Sequence, residues 1–207
     1  MRMINATLAA LGLALAATHA GAAEPQEVIA QLKQGGYVVV FRHGATNRDQ
    51  ADTDPLHLDN VSQQRVLSAA GREQAKQLGE AFRKLGIPFG KVYASQFQRA
   101  VKTGRLLAGK EPVATPDVTE GGLVVTPIEN DRRAAAMRAL AATAPAAGTN
   151  TLVVSHKPNI IDAFGKDWFE VKEGEASVFK PDGAGHATLV GRLQPADWIK
   201  AAQDGSR

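Results

Sequence analysis

Two histidines follow runs of apolar residues that predict buried strands. His43 comes two residues after the run Tyr37–Phe41, and His156 comes two residues after Thr151–Val154. Because the carboxyl ends of parallel strands meet at one edge of a sheet, we expect the two imidazoles to lie close together. Arg99 lies in the first turn of a helix that follows a third strand. Together with Arg42, which precedes His43, these side chains suit a phosphoryl group.

Two local features favour an anion at this edge. Gly44 follows His43 and lets the backbone turn sharply, so that a ligand can approach closely. His156 directly precedes a predicted helix, whose free N–H groups and dipole attract negative charge. The predicted crevice therefore binds an anionic group.

The elements that must position these residues alternate along the chain. Apolar runs predict strands at 37–41, 92–95, 113–115, 151–154, 176–180 and 188–193. Periodic apolar positions and capping residues predict helices at 24–34, from Ser68 to Leu85, at 97–108, at 132–143 with Asn130 or Asp131 as the cap, and at 159–164. This order predicts an α/β fold, a three-layer α/β/α sandwich with a mostly parallel central sheet. The last two strands are expected to form a closing antiparallel pair.

The segment 44–67 between the first strand and its helix is polar and irregular. A loop of this length in a compact domain is usually functional or mobile. It contains four side chains that could ligate a divalent ion, namely Asp52, Asp54, His57 and Asp59. Their spacing matches no metal-binding motif, so we interpret the segment as a solvated loop and expect no metal and no cofactor.

Composition limits the class of protein. The chain has 207 residues, a formal net charge of +3, 44% hydrophobic and 22% charged residues, and no cysteine. These values indicate a globular domain rather than a disordered chain. The charge is too small to indicate a nucleic-acid partner. The absence of cysteine excludes disulfides, thiol catalysis and cysteine-ligated metal centres.

The first 23 residues have the pattern of a secretory signal peptide. Arg2 is the positive residue, residues 8–17 are apolar, and Ala20-Gly21-Ala22 fits the cleavage pattern. The apolar run is too short to span a bilayer, which takes about 20 residues. We predict cleavage, no stable membrane anchor, a mature domain at 24–207, and a periplasmic location in a Gram-negative source.

Four ordered motifs resemble the histidine phosphatase superfamily, branch 1, which includes the phosphoglycerate mutases. The resemblance covers about residues 37–165. The matching stretches are Arg42-His43-Gly44-x-Thr46, Leu67-Ser68-x-x-Gly71-x-x-Gln74-Ala75-x-x-Leu78-Gly79, Val92-Tyr93-Ala94-Ser95-x-x-x-Arg99-Ala100-x-x-Thr103, and Val153-Val154-Ser155-His156. The resemblance implies a phosphoglycerate mutase-like fold.

The resemblance also implies roles for individual residues. His43 would attack phosphorus and form a phosphohistidine intermediate, which requires a neutral imidazole. Arg42, Arg99 and His156 would hold the phosphoryl oxygens, with Gly44 and Thr46 completing the substrate-binding set. Surrounding cations are expected to lower the pKa of His43 and keep it neutral.

We favour Glu120 as the proton donor for the leaving group, with Glu129 as the alternative. The family usually places this residue shortly after the third strand. Glu120, in Val118-Thr119-Glu120, fits that context loosely, and Glu129 lies near the start of the next helix. Family members that act on phosphoramidates need no such acid.

Three functions remain in competition. The residues after Gly44 depart from the mutase pattern, so we favour a metal-independent phosphatase that acts on a small-molecule or glycolipid phosphate ester, with a lipopolysaccharide sugar phosphate as one candidate. The second hypothesis is a phosphohistidine or other phosphoramidate phosphatase, and the third is a binding module without turnover. Specificity is expected in residues 45–66 and 119–131 and around Trp168. The sequence does not indicate an oligomeric state.

Overall fold

The computed structural model describes residues 23–121 and 124–205. The strands are β1 (Val38–Arg42), β2 (Phe89–Ser95), β3 (Val113–Thr115), β4 (Asn150–Ser155), β5 (Ala176–Pro181) and β6 (Ala187–Leu193). The helices are α1 (Pro25–Leu32), α2 (Ala69–Leu85), α3 (Gln98–Ala108), α4 (Pro127–Ala142), α5 (Lys157–Phe164) and α6 (Pro195–Asp204). The predicted signal peptide lies outside the described residues, apart from Ala23.

The strands form one sheet in the order β3-β2-β4-β1-β5-β6. β1 pairs with β4 in parallel, β4 with β2, and β2 with β3. β5 runs antiparallel to both β1 and β6. The mostly parallel sheet and its closing antiparallel pair are therefore confirmed.

Helices cover both faces of the sheet, which confirms the three-layer α/β/α prediction. One buried cluster joins α1, α2, α3 and α6 to side chains such as Val39 and Leu152. A second cluster joins α4 and α5 to Val38, Val40 and Val153 on the opposite face. Alternate residues of β1 thus point to different layers, which explains why its sequence is apolar throughout. Within the described ranges, no helix is long and apolar enough to cross a membrane.

Two helices differ from the prediction. α4 begins at Pro127 rather than near Arg132, because the Thr126 hydroxyl accepts a hydrogen bond from the N–H of Glu129 and makes Thr126 the cap. The predicted caps Asn130 and Asp131 lie inside the helix. α6 was not predicted; it is held by Trp198, whose ring packs edge-on against Phe82 at 4.8 Å.

The start of α2 fixes the backbone that follows β1. The Ser68 hydroxyl accepts a hydrogen bond from the N–H of Gly71 at 3.0 Å, as predicted for a cap. The Ser68 N–H donates to the carbonyl of Ala45 at 3.0 Å. A Cβ on Gly71 would lie only 2.0 Å from the same carbonyl oxygen. Glycine at this position therefore allows the helix to approach the segment that carries Arg42 and His43.

We predict that Gly71→Ala destabilises the fold while Gly104→Ala does not. A methyl group at Gly104, inside α3, would meet its neighbours at 3.5 Å, an ordinary contact. The Gly71 variant should lose about 1–3 kcal/mol in the free energy of unfolding through overpacking, whereas the Gly104 variant should gain up to about 1 kcal/mol from helix propensity. Urea denaturation measures both. Equal effects of the two substitutions would contradict the close packing of Gly71 on Ala45.

Candidate active site

The two histidines lie side by side at the carboxyl edge of the sheet. The register of β1 and β4 pairs Arg42 with Ser155, and the N–H of His43 donates to the carbonyl of Ser155 at 3.0 Å. The two imidazole centroids are 5.0 Å apart, with an angle of 62° between the rings. Both side chains are buried, so their protonation depends on the protein rather than on bulk water.

His43 presents one ring nitrogen for chemistry. Its Nδ1 lies 2.8 Å from the carbonyl oxygen of Gly44, which can only accept a hydrogen bond. The proton of the neutral imidazole therefore resides on Nδ1, and Nε2 carries the free lone pair. The backbone turn at Gly44 makes this contact between neighbouring residues possible.

The protein holds both imidazoles in the neutral form. The pKa of His43 is lowered to about 3, chiefly by burial and also by the cations of Arg99, Arg42 and Arg65, against the Gly44 hydrogen bond that raises it. Burial also lowers the pKa of His156 well below its usual range, with His43 and Arg99 acting in the same direction. The expected effect of nearby cations is present, but burial is the larger cause.

Arg99 is a fully buried guanidinium between two carboxylates. Its Nη1 donates to Asp52 Oδ1 at 2.9 Å, and its Nη2 contacts Glu120 Oε1. Its Nε lies 3.4 Å from His156 Nδ1. The ring of Phe97 lies below the guanidinium, with its centroid 4.2 Å from Cζ. These contacts fix the guanidinium beside His156, with its Nε toward the imidazole and both Nη atoms on carboxylates.

His156 is oriented by groups on both sides of its ring. Its Nε2 lies 2.7 Å from the Ser95 hydroxyl oxygen, and its Nδ1 lies 3.7 Å from Glu120 Oε1. Because Arg99 Nε can only donate, His156 Nδ1 is the acceptor and Nε2 carries the proton toward Ser95. Ser95 also accepts from the N–H of Phe97 at 3.2 Å. The serine thus contacts both the backbone that leads into α3 and the imidazole of His156.

Arg42 is anchored to the segment that precedes β5. Its Nη1 donates to the carbonyl of Val171 at 2.7 Å, and its Nη2 lies 3.8 Å from Glu173 Oε1. Its Nε is buried and has no hydrogen-bond partner among the described residues. The Thr46 hydroxyl donates to Glu173 at 3.3 Å. Thr46 is therefore bound to this carboxylate beside Arg42.

Gly44 contributes its backbone to the link between β1 and α3. Its N–H donates to the Thr103 hydroxyl at 3.1 Å, and that hydroxyl donates to the carbonyl of Arg99 at 2.7 Å. The residue that turns the backbone after His43 is thereby fixed to the helix that carries Arg99. The predicted residues Arg42, His43, Gly44, Thr46, Arg99, Glu120 and His156 are all brought to this edge of the sheet.

Glu129, the rival of Glu120, has different partners. Its carboxylate binds Arg132 and Arg133 at 2.8 Å each in the first turns of α4. These two guanidinium groups lower its pKa to about 2, which makes it a poor proton donor. Glu120 instead contacts Arg99 and lies near His156, so the geometry favours Glu120.

Three further charged residues of the site were not identified from the sequence. Asp52 was considered only as a metal ligand, yet it contacts Arg99 and also accepts from the N–H of Arg65 at 2.9 Å. The positive charge of Arg65 contributes to the lowered pKa of both His43 and His156. Glu173 lies beside Arg42. These residues lie in loops, and only the folded path of each loop brings them to the strand ends. No pattern in the sequence could have identified them.

The other loop side chains do not form a metal site. His57 Nδ1 lies 2.7 Å from Asp54 Oδ1, and both groups are largely solvated. Among the residues that the structure describes, no group of three or more histidine, aspartate or glutamate side chains could hold a metal ion. Asp52, in the loop of residues 44–67 (the acidic loop), binds Arg99 instead.

The arrangement suits transfer of a phosphoryl group to an imidazole. A nucleophilic nitrogen faces a crevice lined by guanidinium groups and by a second imidazole, and a carboxyl group lies beside them. Such donors stabilise the charge on the equatorial oxygens of a phosphoryl group in the transition state of its transfer. The chemistry expected from the strand ends is therefore available in the folded chain.

Comparison with solved structures establishes the same fold. The protein histidine phosphatase SixA, solved with tungstate, is 18% identical, with a TM-score of 0.54, and the match covers 78% of this chain and 98% of that chain. The phosphoserine phosphatase of Entamoeba histolytica, solved with 3-phosphoglyceric acid, is 15% identical, with a TM-score of 0.52 and the same coverage. A mycobacterial glucosyl-3-phosphoglycerate phosphatase, solved with inorganic phosphate, is 17% identical, with a TM-score of 0.53, covering 78% and 99%.

Comparison of the sequence finds a family match. No curated protein sequence matches the chain. The family model of the histidine phosphatase superfamily, branch 1, matches residues 38–124, which include β1, the acidic loop, α2, β2 and α3. This range contains three of the four motifs on which the resemblance depends, and the phosphatase structures share the fold over 78% of the chain. Residues 38–124 therefore match branch 1 of the histidine phosphatase superfamily.

Proposed function

We propose that this protein is a metal-independent phosphatase that hydrolyses a phosphate monoester through a phosphohistidine at His43. The observation that carries the proposal is the state of His43: a buried, neutral imidazole with its Nδ1 proton on Gly44 and its Nε2 free. The family match and the phosphatase folds of its structural neighbours support the same chemistry.

The first half of the reaction transfers the phosphoryl group to the enzyme. His43 Nε2 attacks phosphorus, the P–O bond to the leaving group breaks, and the alkoxide takes a proton. Arg42 and Arg99 donate to the oxygens that do not react. His156 donates to the third oxygen from Nδ1 once the Ser95 hydroxyl donates to its Nε2 and the ring proton lies on Nδ1. Val171 and Asp52 already fix the two arginines before the transfer.

The second half releases phosphate. Water attacks the phosphohistidine, the P–N bond breaks, and Nε2 of His43 recovers its lone pair. The deprotonated acid from the first half accepts the proton of the water. Inorganic phosphate then leaves, and no metal ion is required at either step.

Glu120 is placed to supply and accept that proton. Its Oε1 contacts Arg99 Nη2 and lies 3.7 Å from His156 Nδ1, the two groups proposed to hold a phosphoryl oxygen. A phosphoryl oxygen bound to the same groups would displace the carboxylate, which would lose a cation and gain an anionic neighbour. The carboxyl group is then free to face the leaving oxygen as its proton donor. A residue so placed favours esters over phosphoramidates, which do not require it.

The location and the natural substrate stay proposals drawn from the sequence. The pattern of residues 1–23 supports export to the periplasm, where a lipopolysaccharide sugar phosphate is one candidate substrate. Phosphohistidine proteins are mostly cytoplasmic, so export would count against the phosphohistidine alternative. A phosphate ester, either of a small molecule or of a glycolipid, is the proposed ligand.

The first test is hydrolysis of p-nitrophenyl phosphate with EDTA present throughout. We expect turnover by the parent and a loss of at least about 10³-fold in His43→Ala, as nucleophile removals cause in other enzymes. His57→Ala removes an exposed imidazole from the neighbouring loop and should leave the rate unchanged. No turnover by a folded parent would contradict catalysis, and vanadate bound at His43 would then indicate the binding module.

The second test concerns the neutral state of the two site histidines. Their pKa values are lowered, so both rings should stay neutral from about pH 8 down to about pH 5, where an ordinary histidine becomes charged. The pKa of His57 is instead raised, chiefly by its hydrogen bond to Asp54, so it should gain its proton above the usual range as the pH falls. Imidazole ¹⁵N chemical shifts follow each ring. Protonation of His43 near its ordinary pKa would refute the proposed nucleophile.

The third test separates Glu120 from Glu129. Glu120→Gln should slow hydrolysis of glycerol 2-phosphate by about 10²–10⁴-fold, the usual contribution of a general acid. The loss should be much smaller for p-nitrophenyl phosphate, whose leaving group departs without a proton. Glu129→Gln, at the carboxylate held by Arg132 and Arg133, should change neither rate. Equal losses on both substrates would argue against Glu120 as the acid, and unimpaired phosphoramidate hydrolysis in Glu120→Gln would favour the alternative function.

A further inference from the structure

Carboxylates accompany the arginines of the site. Glu173 lies 3.8 Å from Arg42, and both Asp52 and Glu120 contact Arg99. Since the two histidines are neutral, these three acids offset the charge of Arg42, Arg99 and Arg65. The pocket can hold one phosphoryl group through directed hydrogen bonds, but it has little cationic excess for a second anionic group.

The carboxylates that bind Arg99 are more exposed than Arg99 itself. The Arg99 side chain is 0% exposed, whereas the side chains of Asp52 and Glu120 are 18% and 19% exposed. In the second pair, Glu173 and Arg42 are 28% and 20% exposed. Asp52 and Glu173 thus present partly exposed negative charge beside the arginines of the site.

The segments that carry these carboxylates also carry exposed apolar side chains. Leu56 follows Asp52 on the same loop, Val124 comes four residues after Glu120, and Phe169 comes four residues before Glu173. Their exposed fractions are 71%, 44% and 59%. Lys157 Nζ lies 5.7 Å from the centre of the Phe169 ring. The segments that supply the carboxylates thus also present apolar side chains to solvent.

We propose that the Asp52 and Glu173 carboxylates select the leaving group of the substrate, accepting monoesters of uncharged, partly apolar alcohols and disfavouring alcohols that carry a second anionic group. The inference rests on the proposed phosphatase function and names its substrate class. Bisphosphates, phosphorylated sugar acids and phosphates within acidic peptides would be poor substrates, because their second charge lies beside carboxylates that a bound phosphate does not neutralise.

The test compares two esters of nearly equal shape, 4-carbamoylphenyl phosphate and 4-carboxyphenyl phosphate, which differ by one negative charge. We expect kcat/KM at low salt to favour the carbamoyl ester by about fivefold, since each carboxylate several ångströms away contributes a factor of about two to three. Salt at about 1 M should reduce this ratio toward one, because the Debye length falls to about 3 Å. These measurements need no variant, so they test the inference even if a substitution impairs folding.

Glu173→Gln provides the specific variant. It should reduce the ratio of kcat/KM for the carbamoyl ester to kcat/KM for the carboxy ester by about threefold, because the carboxy ester loses one repulsive neighbour. Any damage to Arg42 or Thr46 affects both esters equally, because both share the same phosphoryl chemistry, so it cancels in the ratio. Asp54→Asn is the matched control, since it removes a carboxylate that pairs with His57 on the acidic loop. Its ratio should equal that of the parent.

The outcomes separate the two proposals. A parent that hydrolyses neither ester refutes the phosphatase function. A parent that hydrolyses both equally, or prefers the carboxy ester, refutes the selection by charge while leaving the phosphatase function in place. An unchanged ratio in Glu173→Gln, or the same shift in Asp54→Asn, would overturn the role given to these carboxylates.

Discussion

The parallel pairing of β1 with β4 is the constraint on which the site depends. Its register places Arg42 opposite Ser155, so the next residue of each strand is a histidine at the same edge of the sheet. A shift of one residue would turn one strand's apolar side chains from one layer to the other and separate the two rings. Both faces of the sheet are apolar, so specific contacts at the two ends of the pair hold the register. The N–H of Tyr37 donates to Asn150 Oδ1 at 3.1 Å, and the N–H of His43 donates to the carbonyl of Ser155 at 3.0 Å.

A buried guanidinium imposes the second constraint. Removing a charge from water is costly unless it is paired and hydrogen-bonded, so Arg99 requires the acceptors around it. Asp52, Glu120 and the carbonyl of Arg65 supply them, and two of these three come from the loop between β1 and α2. The same interactions therefore stabilise the buried arginine and hold the acidic loop against the site. The same pairing leaves the mouth of the pocket with the carboxylates that are proposed to select its substrate.

Neutral imidazoles and charged guanidiniums coexist in one crevice because their chemistry differs. An arginine keeps its proton under nearly all conditions, whereas burial is enough to remove the proton of a histidine. Burial and the nearby cations thus act together on His43 and prepare a nucleophile without a neighbouring base. Glu120 can then serve the leaving group alone.

The sequence by itself determined the order of strands and helices, the three-layer fold, and the positions of Arg42, His43, Arg99 and His156, because buried strands, glycine turns and strand-end residues leave local patterns. It also set Ser68 as a cap, which depends on a contact three residues away. The sequence did not predict the start of α4, where Thr126 is the cap although Asn130 and Asp131 are also good capping residues. It did not predict α6, because the burial of Trp198 in this helix depends on Phe82 in α2.

Only the tertiary structure decided which acids reach the site. Asp52, Glu120 and Glu173 come from three separate loops, and nothing local distinguishes them from Asp54 or Glu129. Their places depend on how irregular backbone folds back over the sheet edge, and that path depends on long-range contacts such as Asp52 with Arg99. Ion pairs between segments that are far apart in the chain leave no periodic pattern in the sequence. The carboxylates of the site can therefore be identified only from the folded structure.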